Sequence, residues 1–171
     1  QWADVLAAGP GMGQKPDGKE TLRLLLQNVE CPMVLDADAL NIIAEDKELK
    51  NLLACRNTEE ADFILTPHIG EMARLAGTSV ASIQGRLIQT AVSFASRYKV
   101  ICVLKDARTI VADSKKTVYI NTSGNSGMAT GGSGDVLTGV IAGMSVSGLN
   151  AYEAACMAVS YTHLRAHETT L

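Results

Sequence analysis

Short apolar runs alternate with amphipathic stretches as far as Leu104, and this alternation constrains the fold more than any other feature of the sequence. Apolar runs typical of buried strands occupy residues 4–8, 33–35, 63–65 and 100–104. Leucine, isoleucine and alanine recur at helical spacing in residues 19–28, 38–44 and 82–98, and Glu71 opens a short helix. The alternation predicts an α/β layered fold, with a mainly parallel central sheet and helices on both faces.

The pattern changes in the second part of the sequence. Residues 109–112 and 117–120 flank a turn-like polar segment, which predicts a β-hairpin. Residues 135–146 and 152–159 are predicted helices, and their small residues permit close packing. The polar run 45–62 is predicted to surround one further helical turn. Because the sequence opens directly on a strand, we expect the sheet to be incomplete at the N-terminus.

Charge and composition argue against several classes of partner. With a net charge of −3 and no long block of like charges, the sequence lacks the basic patch that attracts nucleic acid or an anionic membrane. No apolar run approaches the ~18 residues of a membrane-spanning helix. The four cysteines are scattered without C-x-x-C spacing, which indicates reduced structural thiols. We therefore expect a cytoplasmic domain that binds small polar ligands.

Glycine is densest in the stretch NTSGNSGMATGGSGDVLTGV, residues 121–140. Gly131, Gly132 and Gly134 can adopt backbone angles that direct successive N–H groups towards one point at the start of the next helix. Such an anion hole would stabilise the charge of a phosphoryl group during its transfer. Asp135, in the first turn of that helix, could accept the proton of a substrate hydroxyl. The alternative is a tight turn in which Asp135 only complements the helix dipole.

Glycines or polar side chains also follow each predicted parallel strand. In an open α/β sheet, ligands bind beyond the carboxyl ends of the strands. The segments at these ends are Gly9-Pro10-Gly11-Met12-Gly13, Asp36-Ala37-Asp38, Thr66-Pro67-His68 with Glu71, and Lys105-Asp106 with Thr109. Asp36 could contact a substrate or form a structural turn, whereas Asp38 is expected to cap a helix. Lys105 could bind a phosphate or be exposed to solvent.

Several of these segments together resemble the ribokinase-like superfamily, and within it the ADP- or ATP-dependent NAD(P)H-hydrate dehydratases. The segments are GPGMG, VLDADALN, TPHIGEM, the Lys105/Thr109 pair and GNSGMATGGSGDVLTGVIAG, so the resemblance extends from about Asp4 to Val159. It implies a ribokinase-like fold and a lyase that repairs NADHX and NADPHX, the hydrated forms of the nicotinamide cofactors. The implied route phosphorylates the ring hydroxyl at the expense of ADP or ATP and then eliminates phosphate.

The resemblance also implies roles for individual residues around the reacting hydroxyl. Asp135 corresponds to the base, and Gly132 and Gly134 correspond to the anion hole. Gly11 and His68 correspond to groups that bind the hydrate, and Asp36 and Asp135 are counted among the substrate contacts. Each of these roles is an expectation that follows from the resemblance.

On the nucleotide side, the resemblance implies contacts from the segment Lys105, Asp106, Ala107, Arg108 and Thr109, and from Gly134. The family usually has Lys-Gly-x-x-Thr in this segment, and here Asp106 replaces the glycine. An aspartate brings a Cβ and a negative charge towards the phosphates. Glu71 resembles the acidic residue that helps to hold Mg²⁺, through water.

The sequence leaves rival interpretations of function and extent. One rival is a kinase of the same superfamily acting on a hydroxymethylpyrimidine or a hydroxyethylthiazole, and the other is a truncated chain without activity. Family members usually carry about a hundred further N-terminal residues, and the segment SYTHLRAHETTL differs from the family's Tyr-x-His-Gly continuation. We therefore interpret residues 1–159 as a partial ribokinase-like domain and residues 160–171 as a non-native tail. The full-length parent is expected to be a homo-oligomer.

Overall fold

The computed structural model describes residues 3–55, 63–122 and 132–168. Its strands and helices alternate along most of that length. In chain order they are β1 (Leu6–Ala8), α1 (Pro16–Asn28), β2 (Met33–Leu35), α2 (Asp38–Glu45), α3 (Lys47–Cys55), β3 (Phe63–Leu65), α4 (Ile69–Ala76), α5 (Val80–Gln84), α6 (Leu87–Tyr98), β4 (Ile101–Leu104), β5 (Ile110–Ala112), β6 (Val118–Ile120), α7 (Ser133–Ser145) and α8 (Ala151–Glu168).

The described strands form one sheet in the order β1-β2-β3-β4-β5-β6. The first four are parallel, with Leu35 opposite Ala8 and Leu65, and Leu65 opposite Cys102. β5 and β6 then pair antiparallel as a hairpin on the β4 edge. This arrangement confirms the α/β fold and the mainly parallel sheet that the alternation predicts.

The two faces of the sheet are covered by different helices, because successive strand residues point to opposite sides. Met33 and Leu35 of β2 belong to a core shared with helices α1 to α6. Val34, between them, belongs to a second core with Leu137 of α7 and Ala155 of α8. Strands buried on both faces read as continuous apolar runs, which is the pattern of β2, β3 and β4.

Two helical predictions were wrong in their extent. The polar run after α2 contains the full helix α3, whose first turn is capped by Asp46 Oδ1, which accepts bonds from the N–H groups of Glu48 (2.7 Å) and Leu49 (3.2 Å). The single helix expected over residues 82–98 is divided into α5 and α6. The division falls at Arg86, whose backbone (φ −148°, ψ 40°) is not helical.

Gly9 fixes how the loop after β1 meets the end of β2. Its φ of +127° lies in a region that side chains rarely allow, and a Cβ at this position would lie 1.7 Å from the carbonyl oxygen of Asp36. Only glycine permits this approach of the two backbones. The loop that follows β1 is thereby held against Asp36.

The last helix crosses the proposed boundary between domain and tail, since α8 runs from Ala151 to Glu168. The assignment of residues 160–171 as a tail stays a prediction. In the described part of the chain, no helix combines the length and the apolar character that crossing a membrane requires.

All four cysteines have free thiols, as predicted. Cys31 and Cys102 are buried, whereas Cys55 is exposed. Burial raises the pKa of the Cys102 thiol to about 12 and is the largest cause that raises the pKa of Cys156 to about 11. Since the thiolate is the reactive form, these two thiols are inert near neutral pH.

Candidate active site

The carboxyl ends of the parallel strands bring the predicted site segments together. Asp36 directly follows β2, and its N–H donates to the carbonyl of Ala8 at the end of β1 (3.1 Å). His68 and Lys105, beyond β3 and β4, form an isolated parallel β-bridge, in which the Lys105 N–H donates to the carbonyl of Pro67 (2.8 Å). The loops after four neighbouring strands therefore meet at one edge of the sheet, as expected for a ligand site.

Asp36 lies at the centre of this edge and is only 2% exposed. Its Oδ1 accepts bonds from the Lys105 ammonium (2.8 Å) and from the N–H of Ala37 (2.9 Å). Its Oδ2 accepts a bond from the Thr138 hydroxyl of α7 (2.9 Å). The Asp36 carboxylate thus links the ends of β2 and β4 to α7. Helix α7 packs on the face of the sheet opposite to helices α1 to α6.

Gly134 places the start of α7 directly against this ion pair. A Cβ on Gly134 would lie 3.3 Å from Lys105 Nζ and 3.6 Å from Asp36 Oδ2, so the glycine leaves room for the ammonium group. The first turn of an α-helix presents N–H groups without intrahelical acceptors and carries a partial positive charge. The helix end and Lys105 therefore supply two positive groups side by side, which suits a phosphate.

Asp135 lies in the first turn of α7, as predicted, and its side chain is exposed. Gly132 is the N-cap with φ +90°, a left-handed conformation that glycine adopts readily. Gly131, the first glycine of the predicted anion hole, lies outside the described residues. An exposed carboxylate beside a positive helix end is accessible to a hydroxyl that approaches a bound phosphate.

His68 and Glu71 form a capping box at the start of α4. His68 Nδ1 accepts bonds from the N–H groups of Gly70 (2.9 Å) and Glu71 (3.3 Å), and Glu71 Oε2 accepts from the His68 N–H (2.8 Å). The imidazole Nδ1 therefore caps α4, and the His68 side chain is 54% exposed. Its Nε2 lies 3.6 Å from Glu71 Oε1.

Loss of this cap gives a measurable prediction for stability. His68→Ala leaves two N–H groups of α4 without their side-chain acceptor and is expected to lower the free energy of unfolding by about 1 kcal/mol in urea titrations. His68→Asn is the matched control, because asparagine is a good N-cap residue and should retain most of that stability. Equal losses in the two variants would contradict a capping role.

The loop after β1 is held by Asp38 rather than lying free. Asp38 Oδ2 accepts from the N–H of Gly13 (2.9 Å) and its Oδ1 from the side-chain amide of Gln14 (2.8 Å). The expectation that Asp38 caps α2 is therefore wrong, since it is the first residue of that helix and Ala37 is the N-cap. Gly11, the predicted substrate contact, is exposed in this loop with φ +67°.

The predicted nucleotide segment connects β4 to the hairpin. Lys105 turns inward to Asp36, the side chains of Asp106, Ala107 and Arg108 are exposed, and Thr109 is buried. The Asp106 carboxylate is exposed. Lys105 faces inward and is the nearest cation to Gly134 among the described residues. Contact of this segment with a nucleotide stays a prediction.

Thr138 is the site residue that sequence reasoning missed. It is buried on α7 and donates to Asp36, one turn beyond Gly134. The available signal was its spacing, because residues at i and i+4 share a helix face and Gly134 was already a candidate. A hydroxyl in the apolar run DVLTGV therefore had to find an acceptor on the side facing the sheet.

Comparisons with known proteins identify the family and the fold. The profile of the Carb_kinase family, described as NAD(P)H-hydrate dehydratase, matches residues 1–170. A bifunctional NAD(P)H-hydrate repair enzyme of Moorella thermoacetica is 44% identical over 160 residues, which are 94% of this chain and 29% of that protein.

Two solved structures are similar over most of the chain. An ADP/ATP-dependent NAD(P)H-hydrate dehydratase of Bacillus subtilis, co-crystallised with ATP and Mg²⁺, has a TM-score of 0.80 at 31% identity, over 98% of this chain and 56% of that one. A ribokinase-like superfamily protein of Enterococcus faecalis has a TM-score of 0.75 at 26% identity, over 94% of this chain and 53% of that one. The chain therefore spans between 29% and 56% of these relatives' lengths, and it belongs to the NAD(P)H-hydrate dehydratase family, with a ribokinase-like fold.

Proposed function

We propose that this protein dehydrates NADHX and NADPHX to NADH and NADPH at the expense of ADP or ATP. The observation that carries the proposal is the meeting of Lys105 with the N-terminus of α7 over the buried carboxylate of Asp36. Two fixed positive groups next to the exposed Asp135 supply what phosphoryl transfer to a hydroxyl requires. The relatives named as dehydratases support this reaction over a small-molecule kinase.

In the proposed first step, the hydroxyl oxygen of the hydrated ring attacks the terminal phosphorus of the nucleotide. Asp135 accepts the hydroxyl proton as the new P–O bond forms. The bond from phosphorus to the bridging oxygen breaks, and the shortened nucleotide leaves with that electron pair. The N–H groups at Gly132 and Gly134, together with Lys105, stabilise the charge on the phosphoryl oxygens during this step.

In the proposed second step, the phosphate ester is eliminated. Phosphate leaves with the electrons of the C–O bond, the neighbouring ring carbon loses a proton, and the C=C bond of the dihydronicotinamide is restored. Over both steps, the hydrated ring loses the elements of one water, its hydroxyl oxygen leaves in the phosphate, and one phosphoanhydride bond of the nucleotide is broken. His68, through Nε2, and Gly11, through its exposed backbone, are proposed to hold the hydrate in place.

Asp36 is proposed to position other groups rather than to touch the substrate. Its two oxygens already accept three hydrogen bonds, from Lys105, Ala37 and Thr138. Between the two interpretations that the sequence leaves open, the buried contacts favour the structural one. The segment from Lys105 to Thr109, including Asp106, Ala107 and Arg108, is proposed to lie along the nucleotide.

Glu71 fits an indirect role in holding Mg²⁺. Among the described residues, no group of three or more His, Cys, Asp or Glu side chains is arranged to hold a metal ion. Glu71 Oε2 is engaged by the His68 N–H, but Oε1 lies 3.6 Å from His68 Nε2 and retains capacity to accept from a metal-bound water. Mg²⁺ commonly keeps several waters and takes its remaining ligands from substrate phosphates. When bound, it would neutralise part of the phosphate charge.

The proposal is tested by incubating the chain with NADHX, Mg²⁺ and either ADP or ATP, and following the absorbance of the reduced nicotinamide. Formation of NADH supports dehydration, whereas a stable phosphate ester without NADH would support the kinase alternative. The same assay is run on a chimaera in which the preceding segment of the Moorella relative is joined to Gln1. Activity of the chimaera alone would show that this chain is an inactive part of an active enzyme, and inactivity of both would overturn the proposal.

A further inference from the structure

A second cavity lies away from the candidate active site, among helices α3, α4, α5 and α6. Its volume is about 660 Å³, within the usual range for small-molecule sites. None of Asp36, Lys105 and Gly134 contributes to its lining. The active-site proposal therefore leaves this cavity without a role.

The cavity is rich in positive charge. Lys47 and Lys50 of α3, Arg86 before α6 and Arg97 near the end of α6 line it, and among the described residues no aspartate or glutamate does. Within the described part of the chain, none of these four cations takes part in an ion pair. This contrasts with neighbouring Arg23, which is paired with Glu48 at 2.9 Å.

Lys50 is the half-buried member of these four cations, whereas Lys47, Arg86 and Arg97 are exposed. Partial burial, and to a smaller extent the charge of Arg97, lower the pKa of the Lys50 ammonium group. Arg97 lies against the ring of Tyr98, with 5.4 Å from its guanidinium carbon to the ring centroid. An anion between Lys50 and Arg97 would compensate both charges.

The rest of the lining is apolar or carries hydroxyl groups. The buried side chains of Leu75, Ile83, Phe94 and Tyr98 contribute apolar surface. Ser82, Thr90 and Ser93 add hydroxyl groups to the lining. A ligand that satisfies both parts has an aromatic or apolar body and an anionic group.

We propose that this cavity binds a small phosphorylated aromatic molecule, with its phosphate between Lys50 and Arg97 and its ring against Phe94 and Tyr98. Guanidinium and ammonium groups are the usual phosphate partners in proteins, and aromatic side chains receive the ring in offset or edge-to-face contact. The site is separate from the proposed nucleotide site at Lys105.

The proposal is tested with 1-naphthyl phosphate as the probe, by calorimetry and by its fluorescence, on the 171-residue chain. Saturable binding is expected, with 1-naphthol and inorganic phosphate each binding at least about tenfold more weakly, since each lacks one half of the ligand. The double variant Lys50→Met/Arg97→Met is expected to bind the probe at least about tenfold more weakly. Its thermal midpoint should be equal to or above that of the parent, because two mutually repelling charges are removed.

Two control variants separate the site from general effects. Lys50→Arg/Arg97→Lys keeps both charges and should bind the probe more tightly than the methionine double variant does. Lys115→Met removes an exposed charge on the turn between β5 and β6 and should leave binding unchanged. Unchanged affinity in the methionine double variant would overturn the proposal, because the probe would then bind elsewhere. Equal affinity for 1-naphthol would also overturn it, since the cations would have no part in binding.

Discussion

Asp135→Asn is expected to lower the rate of NADH formation from NADHX by about a thousandfold, while ADP and ATP bind with little change. Asparagine has the size of aspartate but cannot accept the hydroxyl proton, so the step that makes the oxygen a nucleophile is lost. The phosphate contacts come from backbone N–H groups and from Lys105, which the substitution does not alter. Turnover is measured by the absorbance of NADH, and nucleotide affinity by calorimetry.

Asp17→Asn is the matched control for this experiment. Asp17 is an exposed carboxylate in the first turn of α1, as Asp135 is in the first turn of α7. Both substitutions weaken the interaction with a helix dipole, at a cost of roughly 0.3–1 kcal/mol in stability. Only Asp135→Asn should change turnover. Equal turnover in the two variants, or loss of nucleotide binding together with turnover in Asp135→Asn, would assign Asp135 a purely structural role.

The sequence predicted those parts of the site that depend on strand ends. β2, β3 and β4 are continuous apolar runs, and the residue after each run can be read directly. Asp36, His68 and Lys105 were located in this way, and parallel pairing then placed them at a common edge. Fold and site were both accessible because one local pattern determined them.

The parts that the sequence did not reveal depend on contacts between distant segments. The bond from Thr138 to Asp36 joins residues 102 positions apart, and the helical spacing of Thr138 from Gly134 does not by itself identify Asp36 as the acceptor. The sequence also does not predict the break between α5 and α6, for a related reason. The helical spacing continues across residues 82–98, while the non-helical backbone of Arg86 interrupts the helix.

Asp36→Ala is expected to lower the free energy of unfolding by about 3–5 kcal/mol, which is a large part of the stability of a domain of this size. The substitution leaves the Lys105 ammonium, whose side chain is only 21% exposed, without its carboxylate beside the positive end of α7. It also removes the acceptor of the buried Thr138 hydroxyl. Urea-induced unfolding, monitored by circular dichroism, measures the change.

The double variant Asp36→Ala/Lys105→Met distinguishes a true ion pair from a general loss of packing. Because the second substitution removes the uncompensated charge, the double variant should be less destabilised than the sum of the two single variants, by about 1–3 kcal/mol. Thr138→Val tests the third member of the cluster and should cost about 1 kcal/mol, since it removes one neutral donor to a charged acceptor. Strict additivity of Asp36→Ala and Lys105→Met would mean that the 2.8 Å contact contributes nothing to folding. The organisation proposed for the phosphate site would then need another cause.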